Sequence, residues 1–192
     1  MPSDERQQSW QQRYLQSPAE RPVACRVLSE NTFLLPGQGK ALDLACGRGG
    51  NALLLARMGL QTEAWDYASA AVETLESMAM EEGLSLEASL RDVANDPPPP
   101  DSFDVITVSY FLERKIVPDL VRALRAGGLI FYETWLRESV DDSGPRNPDF
   151  RLGPNELLTL FSRLQVISYC EHGLQGDLSL GVRNVASLIA RC

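Results

Sequence analysis

Two glycines at a predicted strand-to-helix turn form the most informative chemical pattern of the chain. Gly47 and Gly49 follow the apolar run ALDLA at residues 41–45, which predicts a buried strand ending in a sharp turn. Glycine lets the backbone approach a ligand closely because it carries no Cβ. A glycine turn by itself is usually structural, so the neighbouring residues must decide whether a ligand binds here.

Three aspartates surround this turn in the predicted fold. Asp66 and Asp92 end the next two predicted strands, where carboxylates can accept hydrogen bonds from ribose hydroxyls or an adenine amino group. Asp43 lies inside the first strand, four residues before Gly47. That carboxylate disfavours a pyrophosphate, because anions prefer helix N-termini and backbone N–H groups. It favours an ammonium or a sulfonium, so the three aspartates predict a cationic, adenosyl-bearing cofactor.

Seven predicted strands alternate with helices and position this turn. The strands cover residues 41–45, 60–65, 84–90, 103–108, 129–132, 165–169 and 185–190, and further helices cover residues 51–58, 68–82, 116–125 and 154–161. The alternation predicts a doubly wound α/β fold with a mostly parallel sheet. A glycine-rich loop without a helix separates the last two strands, so we expect the final strand to run antiparallel. Two predicted helices precede the first strand, and the second begins after Pro22 with Val23, Val27 and Leu28 on one side.

Length and composition narrow the class of protein. A chain of 192 residues with 44% hydrophobic and 23% charged residues suits one globular domain. The net charge of −8 disfavours nucleic acid and anionic membranes as partners. The polar N-terminus lacks the apolar core of a secretory signal, and no apolar run has the length of a membrane span. The four cysteines occur singly, which predicts no metal site and favours a reducing, cytoplasmic location.

Several motifs in a fixed order carry a resemblance to a known family. ALDLACGRGGNALLLARMG with Asp66 downstream, RDVAND, FDVITVSYFLER and LVRALRAGGLIFYETW span residues 41–135. Together they resemble the class I S-adenosylmethionine-dependent methyltransferases. The WQQRY segment near the N-terminus and the NPDFRLGPNELL stretch resemble the small tellurite-resistance methyltransferase-like subgroup. The resemblance implies S-adenosylmethionine as cofactor and a seven-stranded Rossmann-like methyltransferase fold with a reversed last strand.

The resemblance also implies roles for particular positions. The methionine end of the cofactor would contact Asp43, Ala45, Cys46, Gly47 and Gly49. The ribose would be held by Asp66, and the adenine would lie near Tyr67, Ala68, Asp92 and Val93. The methyl group would lie above Ser109, Tyr110 and Phe111.

Two departures from the family pattern bear on the substrate. The third glycine region is replaced here by Gly50-Asn51, which we interpret as harmless. The Asn/Asp-Pro-Pro-aromatic signature of enzymes that methylate amino nitrogens is absent after Val108. Methylation of an exocyclic base amine is therefore disfavoured, and we expect a small-molecule acceptor.

Methyl transfer is an in-line displacement, for which positioning supplies much of the rate and a base is needed only if the acceptor arrives protonated. Three residues at the same predicted edge are candidate catalytic residues. Tyr110 either stabilises the sulfonium with its ring or caps the core. His172, the single histidine, either orients substrate or is a solvated loop residue, and Glu133 has the same two readings.

Two flanking segments are candidates for covering the site. The irregular segment 136–153 is long enough to act as a lid, and Arg146 and Arg151 within it are candidates for binding an anionic substrate, with plain solvation as the alternative. Residues 1–30 are expected to form a helical lid on a single domain that spans residues 1–192. Within it, Trp10, Arg13 and Tyr14 either fold over the cofactor or only pack Trp10 on the sheet.

The function predicted from these features is transfer of a methyl group to a small molecule by a monomer or homodimer. One alternative is a binding module that keeps the cofactor pocket without catalysis. A second is a nicotinamide-dependent oxidoreductase, because Gly47-x-Gly49-x-x-Ala52 loosely fits the dinucleotide fingerprint. Asp43 and the expected reversed strand argue against the second.

Overall fold

The computed structural model describes residues 3–16 and 21–192 and contains one seven-stranded sheet in the order β3-β2-β1-β4-β5-β7-β6. The strands are β1 (Lys40–Leu44), β2 (Gln61–Asp66), β3 (Leu86–Leu90), β4 (Phe103–Ser109), β5 (Leu124–Trp135), β6 (Gln165–Glu171) and β7 (Val185–Arg191). β7 pairs antiparallel with both β5 and β6, and the other pairs are parallel. The predicted doubly wound sheet with a reversed last strand is confirmed.

The described helices are α1 (Ser3–Gln16), α2 (Arg26–Ser29), α3 (Gly50–Arg57), α4 (Ser69–Glu82), α5 (Val117–Ala123) and α6 (Glu156–Leu160). They cover both faces of the sheet. One face packs against Leu28 of α2, Leu55 of α3 and Leu75 of α4, and the other packs against Leu120 of α5 and Leu157 of α6. Buried strands covered on both sides are typical of parallel sheets, because helical crossovers join them.

The strand order reverses between β1 and β4. The chain runs outward from β1 to β2 and β3, then returns to add β4 on the other side of β1. In open α/β sheets, ligands bind outside the carboxyl ends of the strands at this switch point. The backbone is strained there on both strands: Ala45 after β1 has φ 55° and Tyr110 after β4 has φ 55°, values that residues with a Cβ rarely adopt.

The structure differs most from the sequence-based boundaries in two places. The helix predicted for residues 116–125 ends at Ala123, and β5 begins at Leu124 rather than at residue 129. Leu124 pairs with Phe103, and the register then shifts so that Leu129 pairs with Val105, which absorbs Gly127 at φ 80° inside one long strand.

The second difference concerns the helix expected after Pro22. α2 is a single turn that begins at Arg26. Val27 and Leu28 are buried as expected, but Val23 is 88% exposed and belongs to an extended segment before the helix. Within the described ranges, none of the helices combines the length and apolar character needed to cross a bilayer.

Candidate active site

The turn after β1 is built so that the backbone itself can form a binding surface. Gly47 has φ 53° and Gly49 has φ 77°, both in the left-handed region where glycine is favoured. A Cβ at Gly49 would lie 2.4 Å from a Leu75 methyl carbon, so α4 packs directly on the turn. A Cβ at Gly47 would lie 2.8 Å from the Tyr14 hydroxyl oxygen, which places α1 over the turn. Glycine is therefore favoured at both positions by conformation, and a Cβ at either would also have to displace a neighbouring side chain.

Asp66 at the end of β2 holds this turn. Its carboxylate accepts hydrogen bonds from the backbone N–H of Gly47 (2.8 Å) and of Ala68 (3.0 Å). The residue is 5% exposed, and burial raises the pKa of the carboxyl despite these bonds. The predicted neighbourhood of Asp66 and Gly47 is thus present as a direct contact.

Asp43 is the most deeply buried carboxylate at the turn, with no exposed surface. It accepts hydrogen bonds from Asn51 Nδ2 (3.2 Å) and from the backbone N–H of Ala52 (3.0 Å). Burial raises the pKa of Asp43 to about 8, and these two bonds only partly offset it. A buried carboxyl with a raised pKa gains from a cationic ligand, because the ligand's charge stabilises the ionised form.

Asn51 connects three segments at this site, and sequence reasoning missed it. Its Nδ2 donates to Asp43 and to Ser109 Oγ (2.9 Å), and its Oδ1 accepts from the Cys25 backbone N–H (2.8 Å). The side chain is 4% exposed in the first turn of α3. The interpretation of Gly50-Asn51 as harmless therefore overlooked a bridge between β1, the end of β4 and the segment before α2. Its one sequence signal is a polar residue opening the otherwise apolar helix NALLLA.

Tyr110 and Glu133 form a second polar pair, beyond Ser109. The Tyr110 hydroxyl donates to Glu133 Oε1 (3.2 Å), and Glu133 Oε2 accepts from the Val27 backbone N–H (3.2 Å). Glu133 is 2% exposed, whereas Tyr110 is 49% exposed, so the ring and its hydroxyl connect the buried carboxyl to the outside. Burial raises the pKa of both groups, and for Tyr110 the negative charge of Glu133 adds to the effect.

Aromatic and loop residues flank this pair. The rings of Tyr110 and Trp135 lie with centroids 5.1 Å apart and planes tilted by 37°. A Cβ at Gly144 would lie 2.6 Å from the Trp135 ring, so the segment 136–153 folds against this tryptophan. Through Trp135, the long irregular segment is connected to Tyr110, and its role as a cover for the site stays a prediction.

Helix α1 packs across the glycine turn and the start of α4. Gln11 Nε2 donates to Ser69 Oγ (3.1 Å), Gln11 Oε1 accepts from the Ala70 N–H (3.1 Å), and Gln7 donates to the Tyr67 carbonyl (2.8 Å). The Trp10 and Tyr14 rings stack at 5.8 Å, and the Arg13 guanidinium lies 4.9 Å from the Trp10 ring centroid. Burial and the charge of Asp66 raise the pKa of Tyr14. Tyr14 therefore lies at the turn with Trp10 and Arg13 stacked behind it, and residues 1–2 and 17–20 of the expected lid lie outside the described residues.

The remaining residues assigned to the cofactor occupy the same edge of the sheet in different settings. Ala68 and Cys46 are buried, Val93 belongs to the core, and Phe111 accepts a hydrogen bond from the Tyr132 hydroxyl at its carbonyl (2.9 Å). Asp92 accepts from the Ala94 N–H (3.1 Å) and from Asn95 Nδ2 (2.8 Å) within its own turn. Its contact with an adenine stays a prediction.

His172 is not brought together with Tyr110 and Glu133. It follows β6, which lies three strand spacings from β4 and two from β5, about 14 Å and about 10 Å at the usual strand spacing. Its Nδ1 accepts from the Val182 N–H (3.1 Å), and its Nε2 lies 3.5 Å from Cys170 Sγ. The structure gives it a place in the loop between β6 and β7, and a catalytic role stays a prediction.

The two arginines proposed to bind an anionic substrate, Arg146 and Arg151, differ in setting. Arg146 is exposed, as a solvated or substrate-binding residue would be. Arg151 is 9% exposed, and its guanidinium donates to the carbonyls of Pro145 (2.7 Å), Leu136 (2.8 Å) and Ser143. Its donors are thus used within the loop, so we assign Arg151 to holding the loop together instead of to substrate binding.

Comparison with known proteins agrees with this arrangement. The model of the family described as tellurite resistance protein TehB matches residues 11–172. The probable S-adenosyl-L-methionine-dependent methyltransferase TehB of Haemophilus influenzae is 28% identical over 141 residues, 69% of this chain and 48% of that protein. A ubiquinone biosynthesis O-methyltransferase of Xanthomonas campestris pv. campestris is 34% identical over 122 residues, 58% of this chain and 46% of that protein. The chain spans about half the length of these curated relatives.

Solved structures show the same fold. The crystal structure of TehB from Haemophilus influenzae has a TM-score of 0.71 at 23% identity and covers 95% of this chain and 66% of that one. A SAM-dependent methyltransferase from Aquifex aeolicus has a TM-score of 0.68 at 17% identity, and the match covers 96% of this chain and 97% of that one. The family model covers most of the chain, and the resemblance seen in the motifs is confirmed. The chain belongs to the tellurite resistance protein TehB family.

Proposed function

We propose that the chain is an S-adenosylmethionine-dependent methyltransferase that methylates a small-molecule acceptor. The observation that carries the proposal is the pair of buried aspartates at the strained switch point: Asp43 without exposed surface and Asp66 bonded to the Gly47 N–H. Both carboxyls have raised pKa values, which suits a cationic ligand and disfavours a pyrophosphate. Family membership and the names of the relatives support the same cofactor.

The chain's own residues divide the work of such a site. Asp66 is positioned to accept from a ribose while it holds the glycine turn, and Asp43 faces the same turn from inside β1. When bound, S-adenosylmethionine supplies a methyl carbon that its sulfonium activates toward nucleophiles. Hydrogen bonds of Asn51 connect Asp43 to Ser109, the residue before Tyr110. An acceptor would bind on this side, next to Tyr110 and its partner Glu133. Helix α1, at the glycine turn, and the segment 136–153, at Trp135, would exclude water from the two ends of the site.

The surroundings of Tyr110 and the charge of the chain support a small acceptor. The site lies between the segment 136–153 and α2, and the chain carries a net charge of −8, which is unsuited to a nucleic-acid substrate. The nicotinamide-dependent alternative is disfavoured because β7 is antiparallel and Asp43 lies at the turn. Measuring turnover in addition to cofactor binding distinguishes a methyltransferase from a non-catalytic binding module.

The test measures cofactor binding and turnover separately. Titration calorimetry should show binding of S-adenosylmethionine and no binding of NAD. Asp66→Ala should weaken cofactor binding by about 1.5–3 kcal/mol, because charge-assisted hydrogen bonds are lost. Asp119→Ala, which removes a carboxylate paired with Arg122 on α5, is the matched control and should bind like the wild type.

Three results would count against the proposal in different ways. Wild-type protein that does not bind S-adenosylmethionine contradicts the cofactor assignment. Unchanged affinity of Asp66→Ala removes Asp66 from the site. Binding without formation of S-adenosylhomocysteine over thiol, carboxylate and amine acceptors supports the non-catalytic module.

A further inference from the structure

The acceptor side holds a carboxyl that the proposed methyl transfer does not require. Displacement at an activated methyl needs a base only when the acceptor arrives with a proton. Even so, Glu133 lies fully inside the protein at the carboxyl end of β5, within hydrogen-bond distance of the Tyr110 hydroxyl. Burying a carboxylate is costly, which makes its presence at this edge informative.

The path from Glu133 to a bound acceptor runs through Tyr110. Glu133 is 2% exposed, and its second oxygen is occupied by the Val27 N–H. Tyr110 is half exposed and is held by two bonds to the same residue, since its own N–H donates to the Glu133 carbonyl (2.8 Å) and its hydroxyl donates to the carboxylate. An acceptor that touches this surface therefore meets Tyr110 before it can meet the carboxylate.

Tyr110 is also placed next to the cofactor turn. Ser109 accepts from Asn51, which in turn donates to Asp43, so two hydrogen bonds join the carboxylate of the cofactor turn to the residue before Tyr110. The left-handed backbone of Tyr110 (φ 55°) is strained, and its side chain lies against Trp135 and Glu133. A strained residue held by a buried carboxylate is typical of a functional position.

From this geometry we infer that Tyr110 and Glu133 form a proton relay that deprotonates the acceptor, and that the acceptor is a neutral thiol or phenol. The acceptor's X–H bond breaks and its proton passes to the Tyr110 oxygen, while the Tyr110 proton passes to Glu133. The acceptor keeps the electron pair and becomes the nucleophile, and Glu133 becomes a neutral carboxylic acid that later returns the proton to water. No oxidant or further reactant is needed.

The groups around Glu133 are compatible with this step. Burial raises the pKa of Glu133, whereas the Tyr110 hydroxyl, the backbone N–H groups of α2 and the Arg26 charge lower it. The thiols of Cys25, before α2, and of Cys170, on β6, also lie within electrostatic reach of the carboxyl. The raised affinity of Glu133 for a proton suits a group that must accept one.

The inference rests on the proposed methyltransferase function and is tested with acceptors of graded acidity. At one fixed pH, kcat/KM for methylation is measured over substituted thiophenols, alkyl thiols and substituted phenols, for wild type, Glu133→Gln and Tyr110→Phe. Acceptors that are already thiolates should lose less than about threefold in both variants. Acceptors whose pKa lies well above the pH should lose about 10²- to 10⁴-fold, because they depend on the relay.

Matched controls separate the relay from a structural effect. Tyr132→Phe removes a hydroxyl that is bonded to the Phe111 carbonyl on the other face of the sheet, and Glu87→Gln neutralises an exposed carboxyl on β3. Both should leave the dependence on acceptor pKa unchanged. Thermal unfolding and calorimetric binding of S-adenosylmethionine are recorded for every variant, so that a misfolded protein is recognised without an activity measurement.

The outcomes also separate this inference from the proposed function. A loss that is uniform over the series, a loss in only one of the two variants, or a wild type that methylates no member of the series overturns the relay. If the cofactor binds and other acceptors are methylated, the methyltransferase proposal stands while the relay fails. If wild-type protein does not bind the cofactor, both fail.

Discussion

Asn51 illustrates how a single amide can organise a site. It donates to Asp43 and Ser109 and accepts from the Cys25 N–H, so it links the cofactor turn, the end of β4 and the start of α2. Removing it leaves a buried N–H and a buried carboxyl without these partners, and an unsatisfied buried group costs about 1–3 kcal/mol. We expect Asn51→Ala to lose about that much free energy of unfolding and to bind S-adenosylmethionine about tenfold more weakly, measured by denaturant unfolding and calorimetry.

Asn51→Asp refines this prediction at the same position. The introduced carboxyl still accepts from the Cys25 N–H but meets Asp43 at about the distance of the present 3.2 Å bond. Two carboxyls this close must share a proton. The variant should therefore unfold nearer to the wild-type temperature at pH 5 than at pH 8, and a defect equal at both pH values would contradict the bridging role.

Some residues at the turn could be predicted from the sequence, and others could not. Asp43 and Asp66 were identifiable because each lies at or near the end of an apolar run, where the sheet edge follows from the pattern. The contacts of Asn51 and Arg151 could not be predicted, because they depend on partners that are distant in sequence, and no periodicity records such partners. An arginine buried against three carbonyls and one in solvent have the same sequence signal.

At the scale of elements, α1 is the clearest candidate for controlling access. Gln11 makes two hydrogen bonds to the start of α4, and Tyr14 lies against Gly47. If α1 covers the bound cofactor, loosening it should speed release. Losing bonds worth about 1 kcal/mol net should raise the dissociation rate of S-adenosylmethionine about fivefold in Gln11→Ala, measured by stopped-flow fluorescence.

Gln12→Ala is the control for this prediction. Gln12 is an exposed glutamine on the same helix, so its replacement should leave the dissociation rate unchanged. An unchanged rate in Gln11→Ala as well would show that α1 only packs on the domain, the alternative left open by the sequence.

Elements were predictable where hydrophobic pattern and turn residues agreed. Gly83 caps α4 in the left-handed conformation, and the predicted and observed last residue of the helix is Glu82. β5 was misjudged because Gly127-Gly128 reads as a helix stop, whereas the chain passes through both glycines as an irregularity within one strand. Local signals mark a turn but do not say whether pairing resumes on the same neighbouring strand.

At the scale of the whole molecule, buried carboxyls should make stability depend on pH in an unusual direction. Burial raises the pKa of Asp43 to about 8 and raises those of Asp66 and Glu133. A carboxyl whose pKa is higher in the folded state stabilises the fold below its unfolded pKa of about 4 and loses this contribution as pH rises through the folded value. The cofactor-free protein should therefore lose stability between about pH 4 and pH 8, by an amount on the order of a few kcal/mol.

Ion-paired carboxyls set the acid limit of this range. Arg114 lowers the pKa of Glu156 through a hydrogen-bonded pair at 2.5 Å, so that contribution is lost as pH falls through the folded pKa. The stability maximum should consequently lie on the acid side of neutrality. The reversed last strand was predictable from the sequence, because the length of a connection constrains the topology of a sheet. The pH of maximum stability was not predictable, because it depends on how deeply each carboxyl is buried.

A cationic cofactor should reverse the decline, and this distinguishes functional burial from a mere structural cost. Its charge favours ionised Asp43 and Asp66, so the rise in Tm produced by saturating S-adenosylmethionine should grow between pH 5.5 and pH 8. Asp43→Asn lacks the most deeply buried of these carboxyls. Without ligand its Tm should depend less on pH, and the rise in Tm produced by S-adenosylmethionine should be smaller. Scanning calorimetry of both proteins, with and without the cofactor, measures all four profiles. A ligand-induced gain that is constant with pH would mean that the carboxyls at the turn do not face the charge of the cofactor, because only differential binding to the ionised form links the two equilibria.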